Sequence, residues 1–498
     1  MMALQTPALA ASWLRQCTTG TLQSDSRQLK AGDGFVAWPG AATDGRQYVH
    51  AALKQGATAC LVERAGSEAY DFSDPRVASY EGLKAATAAI AAAYFGEPSD
   101  HLEVLAVTGT NGKTSTAWWL AQALSQLGSR CAVAGTLGIG EPGAMVFNGL
   151  TTPDPVLFQQ QLRRFVDEGF AACAVEASSI GLAEGRLDAT RLRLAVFTNF
   201  TQDHLDYHGS MPAYWAAKQR LFDWPGLQTA VVNIDDPRGA ALAVSLDRPG
   251  LELWTTSCRA AARLQAQAVQ HGLDSMIFDV VEAGRRCRVS APLVGQYNVS
   301  NLLGVIAALR SLGTSLEAAA RVCSLITPVP GRMETLATEG RPLVVVDYAH
   351  TPDALDKVLL ALRPVAQSRG GELWCIFGCG GDRDPSKRPL MAAAAEQSAD
   401  RLVVTSDNPR SEEPLAIIGQ ILLGLKRRDA VHVEPDRALA IAHALRAAQA
   451  GDVVLIAGKG HEDYQEVRGV KLPFSDRAQA EAVLRSGGAR QAATGASA

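Results

Sequence analysis

The stretch 101–124, HLEVLAVTGTNGKTSTAWWLAQAL, limits the possible folds of this chain more than any other segment. Its order predicts a buried strand, a glycine-bearing turn and a helix, which together make an α/β unit. Glycines let the backbone N–H groups of such a turn surround phosphates, and the helix N-terminus favours their negative charge. The pattern GTNGKT therefore predicts a nucleotide-binding loop, and a turn that binds nothing is the less favoured interpretation.

The side chains of this loop have separate expected roles. Lys113 would contact the β- and γ-phosphates, and the Thr114 hydroxyl would bind Mg²⁺. The usual phosphate loop has Gly three residues before Thr110, whereas this chain has Val107, which points away from common GTPases and kinases. The predicted ATP-binding residues of the loop are Gly109, Thr110, Asn111, Gly112, Lys113, Thr114 and Ser115.

Strands and helices alternate along most of the chain, so the predicted fold class is α/β. A length of 498 residues favours about three domains, at roughly 150 residues each. We expect them at 1–98, 99–333 and 334–498, with a strand-rich stretch at 251–295 and a disordered tail at 486–498. Most strands are continuous apolar runs, as in parallel sheets covered on both faces.

Four buried strands in the last domain end in polar, glycine-rich or charged residues. They are LVVVDYAHTPDAL (343–355), LWCIFGCGGDRD (373–384), RLVVTSDNPR (401–410) and DVVLIAGKGHED (452–463). In open α/β sheets, ligands bind just outside the carboxyl ends of the strands. The four ends therefore predict one shared site.

Acidic and imidazole groups follow two strands of the middle domain. Glu176 ends the strand AACAVE, where a carboxylate beside a phosphate loop is well placed to bind a metal ion. A solvated loop acid is the competing interpretation. His204 belongs to a cluster with Asp203, Asp206 and His208, which favours a functional role over that of an ordinary loop histidine.

Composition excludes several classes of protein. Lys plus Arg is 47 and Asp plus Glu is 51, a net charge of −4 that argues against a nucleic-acid partner. The chain has no apolar run of the ~18–20 residues that a membrane span needs, and its N-terminus lacks signal-peptide character. Nine scattered cysteines fit reduced thiols and offer no zinc pattern. We therefore expect a cytoplasmic protein.

Several motifs together resemble the Mur ligases, which are ATP-dependent amide-bond ligases of peptidoglycan synthesis. They are GTNGKT, EASS followed by Gly181 and Leu182, TNFTQDHLDYHG, YWAAK (214–218), YNVSN (297–301), PGRME (330–334) and DYAHTPD (347–353). The motifs follow the order of that family over almost the whole chain. The resemblance implies a UDP-binding N-terminal domain, a central domain with a P-loop ATPase-like parallel sheet and an amino-acid-binding domain with a Rossmann-like sheet.

Four further motifs narrow the resemblance to family members that add the third residue to UDP-MurNAc-L-Ala-D-Glu. They are TTPD (151–154), GCGGDRD (378–384), DNPR (407–410) and GKGHEDYQ (458–465). The DNPR form resembles the type that adds meso-2,6-diaminopimelate rather than lysine. We therefore expect the partners to be small molecules. We also expect the protein to be a monomer.

The resemblance also implies a mechanism and its residues. ATP converts the D-Glu γ-carboxylate to an acyl phosphate, which the incoming amine attacks, with two Mg²⁺ ions neutralising charge. Lys113, Glu176, His204 and Lys218 take the catalytic positions, with Lys218 carbamylated to N6-carboxylysine and Thr114, Glu176, His204 and Lys218 as metal ligands. Without the resemblance, Lys218 would be an ordinary exposed helix lysine. Asn298, Arg332 and Asp347 match nucleotide-binding positions.

Meso-diaminopimelate has two carboxylates and two amines, so its site needs both signs of charge. Arg383 and Arg410 are planar donors suited to carboxylates, although a surface salt bridge is the competing interpretation of Arg410. Lysine lacks the distal carboxylate and would leave an arginine unpaired. The residues assigned to this amino acid are Arg383, Asp407, Asn408, Pro409, Arg410, Gly458 and Glu462.

The resemblance assigns a further set of positions to the sugar-nucleotide peptide. In chain order they are Ser24, Ser26, the turn Ala41, Ala42 and Thr43, and then Thr151, Thr152, Ser178, Glu184 and Arg186. Ile180 stands where the family often has His, and Glu184 stands where Gln is common.

Other functions remain open at the level of sequence. Within the family they are a lysine-adding ligase, the later D-Ala-D-Ala ligase and folylpolyglutamate synthetase. DNPR argues against the first, and TTPD with the N-terminal domain argues against the last. A non-catalytic nucleotide-binding module is the alternative from another class, but it would leave three polar strand ends without a ligand.

Overall fold

Three successive β-sheets organise the chain, in a computed structural model that describes residues 1–40, 43–271 and 275–494. Each sheet is mainly parallel and has apolar cores on both faces, formed with the helices that connect its strands. The predicted α/β class and its covered parallel sheets are confirmed. Ala41 and Ala42 of the predicted sugar-nucleotide turn lie outside the described residues.

The first sheet has five parallel strands in the order β1-β5-β4-β3-β2. Its strands are β1 (Met2–Leu4), β2 (Leu22–Gln23), β3 (Gly34–Ala37), β4 (Ala59–Glu63) and β5 (Val77–Tyr80). Its helices are α1 (Pro7–Cys17), α2 (Val49–Lys54) and α3 (Leu83–Tyr94). Helix α1 begins at Pro7 because Thr6 accepts a hydrogen bond from the Leu9 N–H and proline suits the first helical turn.

The second sheet has eleven strands, in the order β16-β15-β14-β13-β12-β11-β6-β10-β7-β8-β9. They are β6 (Glu103–Thr108), β7 (Cys131–Gly135), β8 (Gly138–Glu141), β9 (Ala144–Val146), β10 (Ala172–Glu176), β11 (Leu194–Phe197), β12 (Thr229–Asn233), β13 (Glu252–Ser257), β14 (Leu264–His271), β15 (Met276–Glu282) and β16 (Arg285–Ala291). The run from β14 through β13 to β7 is parallel, and antiparallel pairs extend both edges. The strand-rich stretch predicted at 251–295 supplies one of those edges.

The helices of this region cover the faces of the second sheet. They are α4 (Lys113–Gln126), α5 (Pro155–Asp167), α6 (Ser179–Ala183), α7 (Leu205–His208), α8 (Met211–Gln219), α9 (Pro237–Ser245), α10 (Gln296–Ser311) and α11 (Leu316–Cys323). Helices α4 and α10 pack together on one face, where Trp119, Leu120, Leu302 and Ile306 are buried. This packing fixes the N-terminus of α4 at the carboxyl end of β6.

The third sheet has six strands in the order β17-β18-β22-β19-β20-β21, with β17 antiparallel to the others. Its strands are β17 (Glu334–Leu336), β18 (Leu343–Asp347), β19 (Leu373–Phe377), β20 (Arg401–Val404), β21 (Val431–Val433) and β22 (Val453–Ala457). The hairpin of β23 (Tyr464–Val467) and β24 (Val470–Pro473) follows. The four strands that the sequence singled out are therefore parallel neighbours whose carboxyl ends meet at one edge.

The helices of the third region are α12 to α16. They are α12 (Pro352–Ser368), α13 (Lys387–Ser398), α14 (Pro414–Leu422), α15 (Arg437–Ala447) and α16 (Asp476–Thr494). The backbone of α16 is helical to Thr494, and the disordered tail expected at 486–498 stays a prediction. Alanines after the glycine pair 487–488 favour that continuation. Residues 495–498 lie outside the described part.

None of the helices described in residues 1–40, 43–271 and 275–494 is both long enough and apolar enough to cross a membrane.

Candidate active site

The phosphate loop joins β6 to α4, as its sequence predicts. Gly109 has φ +144° and a Cβ there would collide with the Thr198 hydroxyl. Gly112 has φ +84°, and a Cβ there would lie 2.5 Å from Asn301 Oδ1. Both positions therefore need glycine for conformation and for space. The loop and the first turn of α4 line a cavity of about 440 Å³.

Lys113 lies against the inside of this loop. Its Nζ donates hydrogen bonds to the carbonyl oxygens of Gly109, at 2.9 Å, and Thr110, at 2.7 Å. Burial lowers the pKa of Lys113, and the carboxylates of Glu176 and Asp203 oppose that shift. The ammonium is thus held at the loop, within the cavity that phosphates would enter.

Glu176 ends β10 and is 1% exposed, so the solvated-acid interpretation is wrong. Its Oε2 accepts a hydrogen bond from Thr114 Oγ1 at 2.9 Å. Its Oε1 accepts from the Thr136 N–H at 2.8 Å, and the Thr136 hydroxyl also reaches Oε2 at 3.2 Å. A Cβ on Gly135 would collide with this carboxylate. Thr136 was not predicted from the sequence, because it follows a strand end but carries no charge to mark it.

Lys218 is 1% exposed, so the exposed helix lysine suggested by sequence without the resemblance is wrong. Its Nζ donates to the Gly109 carbonyl oxygen at 2.6 Å and lies 4.6 Å from the centre of the Tyr214 ring. Burial lowers the pKa of Lys218 well below its usual value, and the neighbouring Lys113 lowers it further. Both effects favour the uncharged form of the amine.

His204 and Asp203 face the same cavity from the segment after β11. His204 has φ +52°, and its Nε2 lies 3.4 Å from Asp203 Oδ2. Burial lowers the pKa of His204 to about 4 despite this carboxylate, which leaves a neutral imidazole able to bind a metal ion. Asp206 borders the amino-acid side, whereas His208 turns away and bonds Ser179 Oγ at 3.0 Å.

Three predicted nucleotide-binding side chains complete the first cavity. Asn298, on α10, donates to the Val294 carbonyl oxygen at 2.8 Å. Arg332 donates to Thr114 Oγ1 at 3.3 Å. Asp347, at the end of β18, accepts from the backbone N–H groups of Met333 and Ala349, at 2.7 and 2.8 Å; burial raises its pKa. Other residues that line the cavity were not predicted from the sequence: Tyr297, Asn301, Tyr348, His350 and Lys357.

A second cavity of about 520 Å³ lies at the carboxyl ends of β19, β20 and β22. It shares Thr151, Asp203, His204 and Arg383 with the first cavity, so the two adjoin. The predicted amino-acid residues that line it are Arg383, Asp407, Asn408, Arg410, Gly458 and Glu462. Pro409 is absent from its lining; it packs against Gly381 in the next loop.

The polar groups of the second cavity are connected to one another. Asn408 Nδ2 donates to Glu462 Oε2 at 2.8 Å, and the buried Lys459 Nζ donates to both Asn408 Oδ1, at 3.0 Å, and Glu462 Oε2, at 2.9 Å. A Cβ on Gly458 would collide with Asp407 Oδ2, so a glycine is required beside this carboxylate. The sequence motif GKGHED contained Lys459, but only the fold shows that its side chain lies behind the cavity wall.

Arg410 lies between the two strand-end loops in a left-handed conformation, with φ +50°. Its Nη1 donates to the Gly381 carbonyl oxygen at 2.7 Å, and its Nε lies 3.4 Å from Glu466 Oε2. The side chain is 21% exposed and lines the cavity, so it is more than a surface salt bridge. Arg383 is exposed and borders both cavities.

The residues predicted for the sugar-nucleotide peptide fall into groups. Thr151, Ser178 and Arg186 line the first cavity, together with Ile180. Thr152 is fully buried behind it, where its hydroxyl donates to the Glu176 carbonyl oxygen at 2.6 Å.

The other predicted positions of this set lie away from the two cavities. Ser24 donates to Asp154 Oδ1 at 2.9 Å, which ties the first sheet to the second region, and Ser26 begins a short 3₁₀ turn. Glu184 forms an ion pair with Lys84 at 2.7 Å and accepts a hydrogen bond from the Tyr207 hydroxyl. Thr43 is exposed.

Comparison with known proteins gives matches over nearly the whole chain. Three family models match: the Mur ligase family catalytic domain at residues 20–115, the Mur ligase middle domain at 107–309 and the Mur ligase glutamate ligase domain at 331–460. A UDP-N-acetylmuramoyl-L-alanyl-D-glutamate–2,6-diaminopimelate ligase from Acidovorax sp. strain JS42 is 58% identical over 96% of this chain and 97% of its own. One from Pseudomonas aeruginosa is 48% identical over 93% and 94%.

Solved structures extend the similarity to three dimensions. A structure of UDP-N-acetylmuramoyl-L-alanyl-D-glutamate–2,6-diaminopimelate ligase has 34% identity and a TM-score of 0.63, covering 94% of each chain. MurF from Acinetobacter baumannii matches at 17% identity and a TM-score of 0.68, over 95% of this chain and 98% of that one. The latter shares the fold alone.

Proposed function

The chain belongs to the Mur ligase family, is an ATP-dependent ligase, and on this premise we propose that it joins meso-2,6-diaminopimelate to UDP-MurNAc-L-Ala-D-Glu. The product would be the tripeptide precursor of peptidoglycan. The observation that carries the proposal is the pair of adjoining cavities, one at a phosphate loop and one lined by both arginines and carboxylates. The relatives named for this same activity, at 58% and 48% identity, support it.

The reaction needs an activated carboxylate, because a carboxylate does not accept an amine at neutral pH. A γ-carboxylate oxygen of the D-Glu residue attacks the γ-phosphorus of ATP, and the bond to ADP breaks. The loop N–H groups and the ammonium of Lys113 stabilise the negative charge that develops there. Thr151, Ser178 and Arg186 would hold the peptide end of the sugar nucleotide beside the loop.

The second step is attack by the amine of the amino acid on the acyl phosphate carbonyl. A tetrahedral intermediate forms, the carbon–oxygen bond to phosphate breaks, and the amide remains. Because the two cavities adjoin at Thr151, Asp203 and His204, the amine and the acyl phosphate would meet where the cavities join. Exclusion of water protects the acyl phosphate from hydrolysis.

The donor groups at the phosphate loop fit Mg²⁺. The carboxylate of Glu176 lies 2.9 Å from the Thr114 hydroxyl, and His204 is a neutral imidazole facing the same cavity. Mg²⁺ prefers oxygen ligands and retains several waters, so a few protein donors suffice. When bound, Mg²⁺ neutralises charge on the phosphates. In the part of the chain that the structure describes, no group of three His, Cys, Asp or Glu side chains forms a metal site; a further ligand, supplying an oxygen, would add to these donors.

We assign that further ligand to Lys218 as its carbamate, as the family resemblance implies. Carbamylation requires an uncharged amine, and burial, which lowers the pKa of Lys218, favours that form. In the modification the amine would add to CO₂ and release a proton, so that the nitrogen keeps one N–H donor and the side chain gains two acceptor oxygens. The hydrogen bond from Nζ to the Gly109 carbonyl oxygen, at 2.6 Å, supports this assignment because Gly109 belongs to the phosphate loop.

We further propose that the charges of the second cavity select the amino acid. Arg383 and Arg410 would bind the two carboxylates, and Asp407, Asn408 and Glu462 would accept hydrogen bonds from the ammonium that does not react. Lysine has no distal carboxylate, so one arginine would be desolvated without a partner. Such an unpaired group gives strong discrimination, since its lost solvation is not compensated.

The three sheets support domain boundaries near 98/99 and 333/334, since β6 begins at Glu103 and β17 begins at Glu334. We assign the first domain to the sugar nucleotide, the second to ATP and the third to the amino acid. We also propose that the protein acts in the cytoplasm, where ATP is available, and that it acts as a monomer.

A phosphate-release assay tests the proposal. UDP-MurNAc-L-Ala-D-Glu, ATP and Mg²⁺ are supplied with either meso-diaminopimelate or lysine, and phosphate is measured. We expect release that depends on meso-diaminopimelate, with lysine giving little above the reaction without an amino acid. The proposal would be contradicted if phosphate were released only with lysine, or if neither amino acid led to phosphate release. Glu103→Gln is the control variant, because Glu103 is exposed at the opposite end of β6 from the loop.

A further inference from the structure

Two fully buried side chains behind the amino-acid cavity form an ion pair that the mechanism does not use. Arg437 begins α15 and Asp476 begins α16, and both side chains are 0% exposed. Arg437 Nε and Nη2 donate to the two carboxylate oxygens of Asp476, each at 2.7 Å. Resting on the proposed function, we propose that this pair is a positioning device that sets the geometry of the meso-diaminopimelate site.

The remaining donors of Arg437 connect two strands of the third sheet. Its Nη1 donates to the carbonyl oxygen of Ser406, at 3.1 Å, and Nη2 donates to that of Ala457, at 2.9 Å. Ser406 follows β20 and Ala457 ends β22, and these strands are separated by β19. One guanidinium therefore joins strand ends that have no hydrogen bonds to each other within the sheet. A planar fork of donors in fixed directions suits this task.

The residues next to the two anchored carbonyls are those assigned to the amino acid. Asp407 and Asn408 come directly after Ser406, and Gly458 comes directly after Ala457. These loops meet tightly, because a Cβ on Gly458 would collide with Asp407 Oδ2. The separation of β20 and β22 at this edge therefore sets the separation between Asn408 and Glu462, which are joined by a hydrogen bond of 2.8 Å.

Asp476 brings a third segment into the same arrangement. It follows the β23–β24 hairpin, whose first residue, Tyr464, lines the second cavity. The Phe474 N–H donates to the Asp463 carbonyl oxygen at 2.8 Å, which closes the base of that hairpin. The ion pair thus fixes the DNPR loop, the GKGHED loop and the hairpin relative to one another.

Positioning explains this pair better than stability does. Taking two charges out of water has a large cost, and apolar side chains of similar volume often stabilise a core equally well. Removing only one partner leaves a buried charge alone and destabilises strongly. A variant that removes both charges together can therefore fold while losing the ties to the two strand ends.

The test uses Arg437→Met/Asp476→Leu, with Arg310→Met/Glu282→Leu as the matched control. Arg310 and Glu282 form a mostly buried pair at 2.7 Å in the second region, and neither lines a cavity described above. The KM of each substrate, kcat and the melting temperature are measured for both variants. We expect the KM for meso-diaminopimelate to rise roughly ten- to a hundred-fold in the first variant, with the KM for ATP and for UDP-MurNAc-L-Ala-D-Glu unchanged. The control should change none of the three.

Arg437→Lys is the second variant, because it keeps the charge but cannot reach Asp476 and both carbonyls at once. We expect a smaller rise in the same KM, and this variant decides the matter if the double variant does not fold. An unchanged KM for meso-diaminopimelate in folded protein overturns the inference. An equal loss for all three substrates, together with a lower melting temperature, also overturns it, since that is the result of a purely structural role.

The outcome for the wild-type protein separates this inference from the proposed function. If the wild type accepts lysine instead of meso-diaminopimelate, the proposed substrate is wrong. The same comparison is then made with the KM for lysine. A selective rise in that KM still supports the positioning role of Arg437, and an unchanged value overturns it.

Discussion

At the scale of single residues, two lysines share one backbone oxygen. Lys113 and Lys218 both donate to the Gly109 carbonyl, at 2.9 and 2.6 Å. Burial and their mutual repulsion lower the pKa of Lys218, which makes it chemically different from an exposed lysine. The burial of Lys218 could not be predicted from the sequence YWAAKQ, because a helix of nine residues gives no clear apolar face. Its hydrogen-bond acceptor could not be predicted either, because the Gly109 carbonyl oxygen is 109 residues away in the chain.

Replacing Lys218 tests its role in activation. Lys218→Ala should slow phosphate release by on the order of a hundred-fold, because a ligand of the metal site is lost. Formate or acetate should restore part of the rate by supplying a carboxylate in the space left behind. Lys471→Ala, at an exposed lysine, is the control. Full activity of Lys218→Ala would contradict the assignment.

The selectivity of Arg410 can be tested without removing its charge. Arg410→Lys should leave ATP binding unchanged but reduce the preference for meso-diaminopimelate over lysine roughly ten-fold or more, because a single ammonium cannot replace two directed donors. The ratio of kcat/KM values for the two amino acids is the measurement. Arg468→Lys, at an arginine paired with Glu413 on the surface, is the matched control. An unchanged ratio would count against the role of Arg410.

The buried imidazole of His461 should make the stability of the folded protein depend on pH in the acid range. Burial lowers the pKa of its imidazole to about 3, and the nearby Arg332 and Lys459 contribute, whereas the ordinary value is 6.5. The folded protein keeps this histidine neutral, so below pH 6.5 the unfolded chain binds the extra proton. Its contribution lowers the free energy of unfolding by up to about 1.4 kcal/mol per pH unit as the pH falls from about 6.5 towards 3.

The melting temperature of His461→Asn should therefore fall less between pH 7 and pH 5 than that of the wild type. His101→Asn, at an exposed histidine, is the control and should follow the wild type. Parallel curves for the wild type and His461→Asn would show that this histidine does not titrate as described.

At the scale of elements, the carboxyl ends of parallel strands account for most of what sequence could predict. The residues after β18, β19, β20 and β22 converge because parallel strands end at the same edge. Their spatial order is different from their chain order, since β22 lies between β18 and β19. The position of β22 in the sheet cannot be predicted from the patterns of the strands, because it depends on how the connecting helices cross the sheet.

Glycine at a strand end has a testable consequence. Gly458→Ala should raise the KM for meso-diaminopimelate and lower the melting temperature, because the new Cβ would collide with Asp407 Oδ2. Gly469→Ala is the matched control: its φ is also positive, +77°, but a Cβ there meets no atom within 4 Å. The control should show backbone strain of about 1 kcal/mol without a change in KM. Equal effects on the KM from both substitutions would contradict the assigned position of Gly458.

At the scale of the whole molecule, contacts far apart in sequence hold the three regions together. Asn111 in the phosphate loop of the second region donates to Asp353 in α12 of the third region at 3.0 Å. The Ser24 hydroxyl donates a hydrogen bond to Asp154 Oδ1, which joins the first region to the second. The motifs allowed the domain order to be predicted, but not these contacts, which depend on how separately folded regions pack together.

The net charge of the whole molecule differs from the local charge of its two cavities. A net charge of −4 is unexpected for a protein whose proposed ligands are strongly anionic. We expect local cations to meet those ligands, and Lys113, Arg186, Arg332, Arg383 and Arg410 are among the cations that line the two cavities. Placed charges in a cavity act over short distances, so overall charge carries little information about the substrate.

The central claim is that the chain forms an amide bond to meso-diaminopimelate in preference to lysine. One competition experiment tests it directly: UDP-MurNAc-L-Ala-D-Glu, ATP and Mg²⁺ are incubated with equal amounts of both amino acids, and the product is identified by mass spectrometry. We predict a single product whose mass corresponds to the addition of diaminopimelate. A product carrying lysine, or recovery of the dipeptide substrate unchanged, would contradict the claim.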